Sequence, residues 1–196
     1  KWDDSPAEAL GRIREWAASG TIPRQTNAPA AFEFDVAKVL AMVLQTELEV
    51  DKSAPTMTRE RPGVVWRGEI EGGLPTAHAP GGASDILVHA RGFTLLVEAT
   101  LRYTSRQWQE EIEPIFRHAF TFIEENRSDP QDVYLLFVTP REVLRQTFEW
   151  IKSRAGEFNV VAIDVDDLST VAETSGLIPG LPHAEIRRLL DSLHRT

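Results

Sequence analysis

Asp85-Ile86-Leu87-Val88-His89 and Phe93-Thr94-Leu95-Leu96-Val97-Glu98 decide the fold. Both runs are apolar, and Ala90-Arg91-Gly92 joins them, a connection short enough for an antiparallel hairpin. Asp85 opens the first strand directly after the turn Gly81-Gly82-Ala83-Ser84, and Glu98 closes the second. Glu111 follows Glu98 by thirteen residues, as Glu98 follows Asp85, and His118 comes seven later.

Working outward, Val64–Ile70 reads as a strand before a loop, residues 71–82, that carries four glycines and two prolines. After the hairpin, Trp108, Ile112, Ile115, Phe116, Ala119, Phe120 and Ile123 mark the buried stripe of a long helix over 105–126. Pro114 inside it is expected to cost a hydrogen bond or bend the helix. Val133–Val138 is a continuous apolar run of the kind a central strand shows. A helix over 141–153, a strand over 160–163 and short helices over 168–174 and 184–194 complete this half. Toward the N-terminus, Ser5 and Pro6 suit the start of a helix over 5–19, and a stronger helix runs over 30–47. Residues 20–29 read as loop and 51–62 as polar linker. The expected architecture is α/β: a mixed sheet of about five strands flanked by helices, with parallel crossovers late in the chain. Residues 1–29 form an N-terminal helix and linker, and 30–196 the main body of a single compact domain.

At 196 residues the chain is long enough for one sizeable core. No apolar run is long enough for a membrane helix, so no membrane partner is expected. The start, Lys1-Trp2-Asp3-Asp4-Ser5, is polar and lacks an initiator methionine, which points to a chain trimmed from a larger protein. Zero cysteines exclude disulfides and thiolate metal sites and suit a cytoplasmic location. A net charge of −9 argues against a free-standing DNA binder, whose affinity comes mostly from phosphate neutralisation. It is compatible with a module that gathers carboxylates around a divalent ion.

Two acids at the ends of adjacent strands are the layout of a metal-dependent phosphodiesterase. Hydrolysis there needs an activated water, charge stabilisation at phosphorus and help for the leaving oxygen, which carboxylate-held Mg²⁺ supplies. Each residue also has a plainer reading. Asp85 would cap a turn, Glu98 would face outward near a strand end, and Glu111 with His118 would mark a solvated helix face. No Walker loop, GxGxxG, GxSxG or HExxH occurs. The histidines at 78, 89, 183 and 194 are scattered, and most tryptophans read as core.

The combination is specific. Gly81-Gly82-Ala83-Ser84-Asp85, Leu96-Val97-Glu98-Ala99-Thr100-Leu101, Ser105-Arg106-Gln107 and Glu111-Ile112-Glu113-Pro114-Ile115-Phe116-Arg117-His118 stand in this order. The pattern resembles the cleavage domain of AlwI-like type IIS restriction endonucleases, a group with nicking enzymes of the BstNBI type within the PD-(D/E)xK superfamily. The resemblance covers about residues 30–140 and implies a restriction-endonuclease-like sheet. It implies Asp85 and Glu98 as metal-binding acids, with the Ala99 carbonyl as a further ligand and Glu111 as a helix carboxylate at the metal. His118 would contact the scissile phosphate or help proton transfer, and Glu33 would reach the metal through water. The implied cofactor is Mg²⁺, with Mn²⁺ able to substitute, and the products are a 5′-phosphate and a 3′-hydroxyl.

Arg102, Arg106, Gln107 and Arg117 are the candidates for contact with double-stranded DNA. Given the negative charge, recognition is expected in a separate domain or subunit, and double-strand cleavage in a dimer or with a second site. Two departures stand out. Ser84 replaces the superfamily's usual proline, and Thr100 stands where a lysine usually orients the attacking water. Threonine is the usual residue in the AlwI-like group, and Gln107, His118 or a second metal on Glu111 are candidates for the missing function. Two alternatives remain open: a catalytically decayed docking module, and a repair or modification-dependent nuclease of another branch.

Overall fold

Strand and helix signals in this chain resolve into a six-stranded sheet sandwiched between helices. The computed structural model describes residues 5–19, 27–51, 62–77, 83–101, 105–141, 143, 145–156, 159–177 and 183–195. Side chains at 105–111, 145, 175–177 and 194–195 fall outside that description.

The sheet is built around the expected hairpin. Strands β5 (Ile86–Ala90) and β6 (Phe93–Ala99) pair antiparallel, from Ile86 opposite Val97 to Ala90 opposite Phe93. Gly92 takes a positive φ of 88° in the turn, where a side chain would be strained. β2 (Gly63–Trp66) pairs antiparallel with β5, and β1 (Leu48–Val50) adds in parallel at the edge. On the other side, β7 (Val133–Thr139) and β8 (Asn159–Asp164) extend β6 in parallel, joined by helical crossovers as expected. These crossovers are α3 (Ser105–Asn126) and α4 (Arg145–Ala155). The final order is β1-β2-β5-β6-β7-β8.

The strand read as Val64–Ile70 breaks at Arg67-Gly68. Its second part, β3 (Glu69–Glu71), leaves the main sheet and pairs with β4 (Leu74–Ala77), inside a segment expected to be loop. Gly72 and Gly73 both take positive φ at the tip. β1 was not foreseen: the helix expected to reach 47 ends at Val43, and Gln45 at φ 50° turns the chain toward the sheet. α4 starts at Arg145 rather than 141, whereas α5 (Val165–Leu177) and α6 (His183–Arg195) are longer than expected.

Alternation along the strands divides the core into two layers. Val64, Trp66, Ile86, Val88, Leu95 and Val97 pack with α1 (Pro6–Ser19), α2 (Ala28–Val43), α5 and α6. Val65, Leu87, Leu96, Leu135 and Phe137 face Ile112, Ile115, Phe116 and Ala119 of α3 and Ile151 of α4. α1 opens with a capping box: the Ser5 amide and hydroxyl donate to the Glu8 carboxylate at 2.7 and 2.8 Å. The Glu8 amide returns a bond to Ser5 Oγ at 3.3 Å.

α2 is buried around almost its whole circumference, and its polar residues are individually accommodated. Arg12 grips Asp35 through two parallel bonds, Nε to Oδ2 at 2.9 Å and Nη2 to Oδ1 at 2.6 Å. Lys38 lies 4.9 Å from the centroid of the Phe34 ring. Asp35 is fully buried while Arg12 keeps a quarter of its surface, so removing the arginine takes a bidentate ion pair from a carboxylate in the core. Arg12→Ala is therefore expected to destabilise by roughly 3 kcal/mol, the low end for breaking a buried pair. Urea unfolding checks this, and a loss under ~1 kcal/mol would place the pair in the surface class instead.

Candidate active site

Register brings the site together. The pairs Val50–Trp66, Trp66–Ile86 and Ile86–Val97 lie in one line across four strands. One residue further, the same line carries Asp51, Arg67, Asp85 and Glu98, and Phe137 continues it on β7. Two backbone bonds hold that outer row: the Asp51 amide donates to the Trp66 carbonyl at 3.1 Å, and the Arg67 amide to the Asp85 carbonyl at 3.0 Å. The period of two puts these residues on the face shared by Val65, Leu87, Leu96 and Phe137, the face α3 covers.

Asp85 and Glu98 thus meet as neighbours on adjacent strands, as the sequence led one to expect. Asp85 also does what a turn-capping aspartate would do, since Oδ2 accepts the Ala99 amide at 3.0 Å. That bond ties the acid to the strand carrying Glu98 and brings the Ala99 backbone beside it. Glu98 is half-buried. Thr100 lies two residues beyond Glu98 on the same face, and its amide donates to the Val138 carbonyl at 3.0 Å.

α3 delivers His118 to this face. The imidazole is half-buried, and among the described residues Nδ1 is buried without a hydrogen-bond partner. Burial lowers its pKa first, and the positive charges of Arg117 and Arg67 lower it further, so the ring is held neutral. Arg117 itself is exposed. Glu113, one of the acids that could have neutralised Arg117, instead pairs with Arg154 of α4 at 3.4 Å.

Glu33 is placed differently from its neighbours in the proposed set. It is 3% exposed, and its Oε2 accepts Trp66 Nε1 at 3.5 Å, on the face covered by α2. Its indole partner belongs to the row just inside Asp85 and Glu98, but projects to the opposite side of the sheet. Glu111, Arg106 and Gln107 belong to the described backbone of α3, with side chains outside the description, and Arg102 lies outside the described residues altogether. Among the described residues no group of three or more His, Asp or Glu side chains gathers as a metal cluster.

Arg67 is the residue that sequence reasoning missed. It is 8% exposed, next to the acids, and close enough to Glu98, Glu125, Asp51 and His118 to interact electrostatically with each. Burial lowers its pKa, and Asp51, Glu125 and Glu98 oppose that shift. A signal existed: a charged residue at an α3-facing position of an apolar strand, two after Val65.

With the site described, the class is defined by the fold. The chain has a restriction-endonuclease fold: it matches the crystal structure of the small subunit (R.BspD6I2) of the heterodimeric restriction endonuclease R.BspD6I. The TM-score is 0.67 at 20% identity, over 94% of this chain and 89% of that one. Within that class, residues 63–156 match the family model of the AlwI restriction endonuclease, which bears out the resemblance seen in the sequence. The matched segment runs from β2 to the end of α4 and so contains Arg67, Asp85, Glu98 and His118, while Glu33 lies outside it. It supports a nuclease-type role. No curated protein matches the chain in sequence. Among the described residues no helix is long and apolar enough to cross a membrane.

Gly68 keeps this row in place. A Cβ there would lie 2.0 Å from Trp66 Cζ2, and the fully buried indole has no room to retreat. Gly68→Ala is expected to displace Trp66, loosen its bond to Glu33 and shift Arg67. A lower thermal midpoint with a change in tryptophan fluorescence checks this, and an unchanged midpoint would contradict it.

Proposed function

We propose that this chain is the Mg²⁺-dependent cleavage subunit or domain of a type IIS restriction or nicking endonuclease, hydrolysing a DNA phosphodiester to a 5′-phosphate and a 3′-hydroxyl. The observation that carries this is the row placing Asp85 beside Glu98 at the end of the sheet, within the segment that matches the AlwI family. The donor set fits the ion: Mg²⁺ takes carboxylate and carbonyl oxygens, and Asp85, Glu98 and the Ala99 carbonyl are of that kind. Mn²⁺ has the same preference and is expected to substitute. Glu111 completes the set by the family resemblance. The bound ion would supply a Lewis acid and an activated water.

The protein's own groups would do the rest. Asp85, tied to the Ala99 amide, fixes the spacing between the two strands. Neutral His118 can accept or relay a proton at the phosphate, a role an imidazolium could not begin. Thr100 offers a hydroxyl but no charge. Arg102, Arg106, Gln107 and Arg117 are the proposed DNA contacts, with Glu33 as a supporting carboxylate.

At net charge −9 the chain draws recognition and most of its affinity for double-stranded DNA from a separate domain or subunit. The small subunit it resembles belongs to a heterodimer, which favours a partner subunit here too, and double-strand cleavage then takes two active sites. A cytoplasmic location fits such a role. Supercoiled plasmid should be nicked with Mg²⁺ and spared with chelator. Asp85→Asn and Glu98→Gln should each cut at least about a hundredfold more slowly while keeping the wild-type melting curve. Wild-type rates in both variants would reject the assignment.

A further inference from the structure

Arg67 poses an energetic problem that neither the fold nor the two acids resolve. A guanidinium cannot neutralise itself, since it stays protonated throughout the range in which proteins are folded. Once buried, it needs an ion pair or a set of hydrogen bonds, because an unmatched charge in the interior is costly. Yet Nε of Arg67 is fully buried and, among the described residues, has no hydrogen-bond partner. Asp51, Glu125 and Glu98 oppose the effect of burial on it through their charge. The gap is not accidental packing. Arg67 is held by its own amide to Asp85, in the same row as both candidate metal acids and on the same face as His118.

We propose that Arg67 is a catalytic residue of this site: its guanidinium binds a non-bridging oxygen of the scissile phosphate and supplies the positive charge that Thr100 lacks. This rests on the nuclease reading above for its substrate. The chemistry is that of a fixed cation. Arg67 neither takes nor gives a proton. It offers several N–H donors in a rigid plane, matched to a phosphate's oxygens, and stabilises charge that builds on them as the new P–O bond forms and the 3′-oxygen leaves. A lysine two residues after the second acid would reach the site along β6. Here the charge arrives from β2, two strands away, through the row that register defines.

Nuclear magnetic resonance of the full chain tests the contact without cleavage. The Arg67 Nε–H signal is identified by its loss in Arg67→Lys, and then followed in chelator while a short DNA duplex, or inorganic phosphate alone, is added. A saturable shift is expected. A signal unmoved by both probes overturns the proposal. With Mg²⁺, Arg67→Met should slow single-turnover nicking by about 10²–10³-fold, with little change in DNA affinity, and Arg67→Lys should recover part of that loss. The melting point of Arg67→Met should equal or exceed that of wild type, because an unmatched buried charge has been removed. A folded methionine variant that cuts at the wild-type rate overturns the proposal, and so does one that fails to fold, which would make Arg67 a structural residue. Wild-type protein that never cuts, while its Arg67 signal still moves, would remove the nuclease reading and leave the phosphate contact standing.

Discussion

The register of three ladders, β1 with β2, β2 with β5 and β5 with β6, is the constraint on which the rest depends. In β2, β5 and β6 it is fixed by apolar alternation: a slip of one residue would turn Trp66, Ile86 and Val97 from the α2 side to the α3 side and expose the core. The same alternation therefore fixes what comes one residue later. Arg67, Asp85 and Glu98 share a row and a face because the residues inside them are too apolar to pair any other way, and the β1–β2 ladder adds Asp51 to that row. The charged row sits at the end of the sheet, and burial of the inner rows stabilises it there.

The two faces use buried polarity differently. On the α2 side each buried polar group meets a partner: Asp35 with Arg12, Lys38 with the Phe34 ring, Glu33 with the Trp66 indole. These contacts tie α1, α2 and the sheet into one scaffold. On the α3 side, among the described residues, His118 Nδ1 and Arg67 Nε are buried without hydrogen bonds. Satisfied polar groups hold a structure, whereas unsatisfied ones at the end of a rigid sheet are the mark of a site prepared for something else. Both of these groups lie inside the AlwI-matched segment.

Much was legible in advance because it depended on local pattern. The β5–β6 hairpin followed from two apolar runs and a short turn. Glu98 stood out as a carboxylate in an apolar strand, and α3 followed from its apolar stripe, although Phe120, read as part of that stripe, is exposed. What was misread depended on neighbours far along the chain. β1 forms because β2 offers an edge, which no property of Leu48-Glu49-Val50 announces. Val64–Ile70 looks like one strand, yet Gly68 packs its backbone under the Trp66 ring and the chain turns away into the β3–β4 pair. The side of the sheet to which α2 carries Glu33, against the Trp66 indole, is likewise set by packing and not announced by the residues around it.

The sequence by itself determined the two acids, the strands that end in them and the absence of the usual lysine at Thr100, since all of these are read within a few residues. Tertiary structure alone decided which cation stands beside them. Arg67 and Glu98 are 31 residues apart and separated by a hairpin and a strand, and only the pairing of β2 with β5 and β5 with β6 sets them in one row. Charge placed by a neighbouring strand leaves no trace in local pattern, because its meaning is fixed by register.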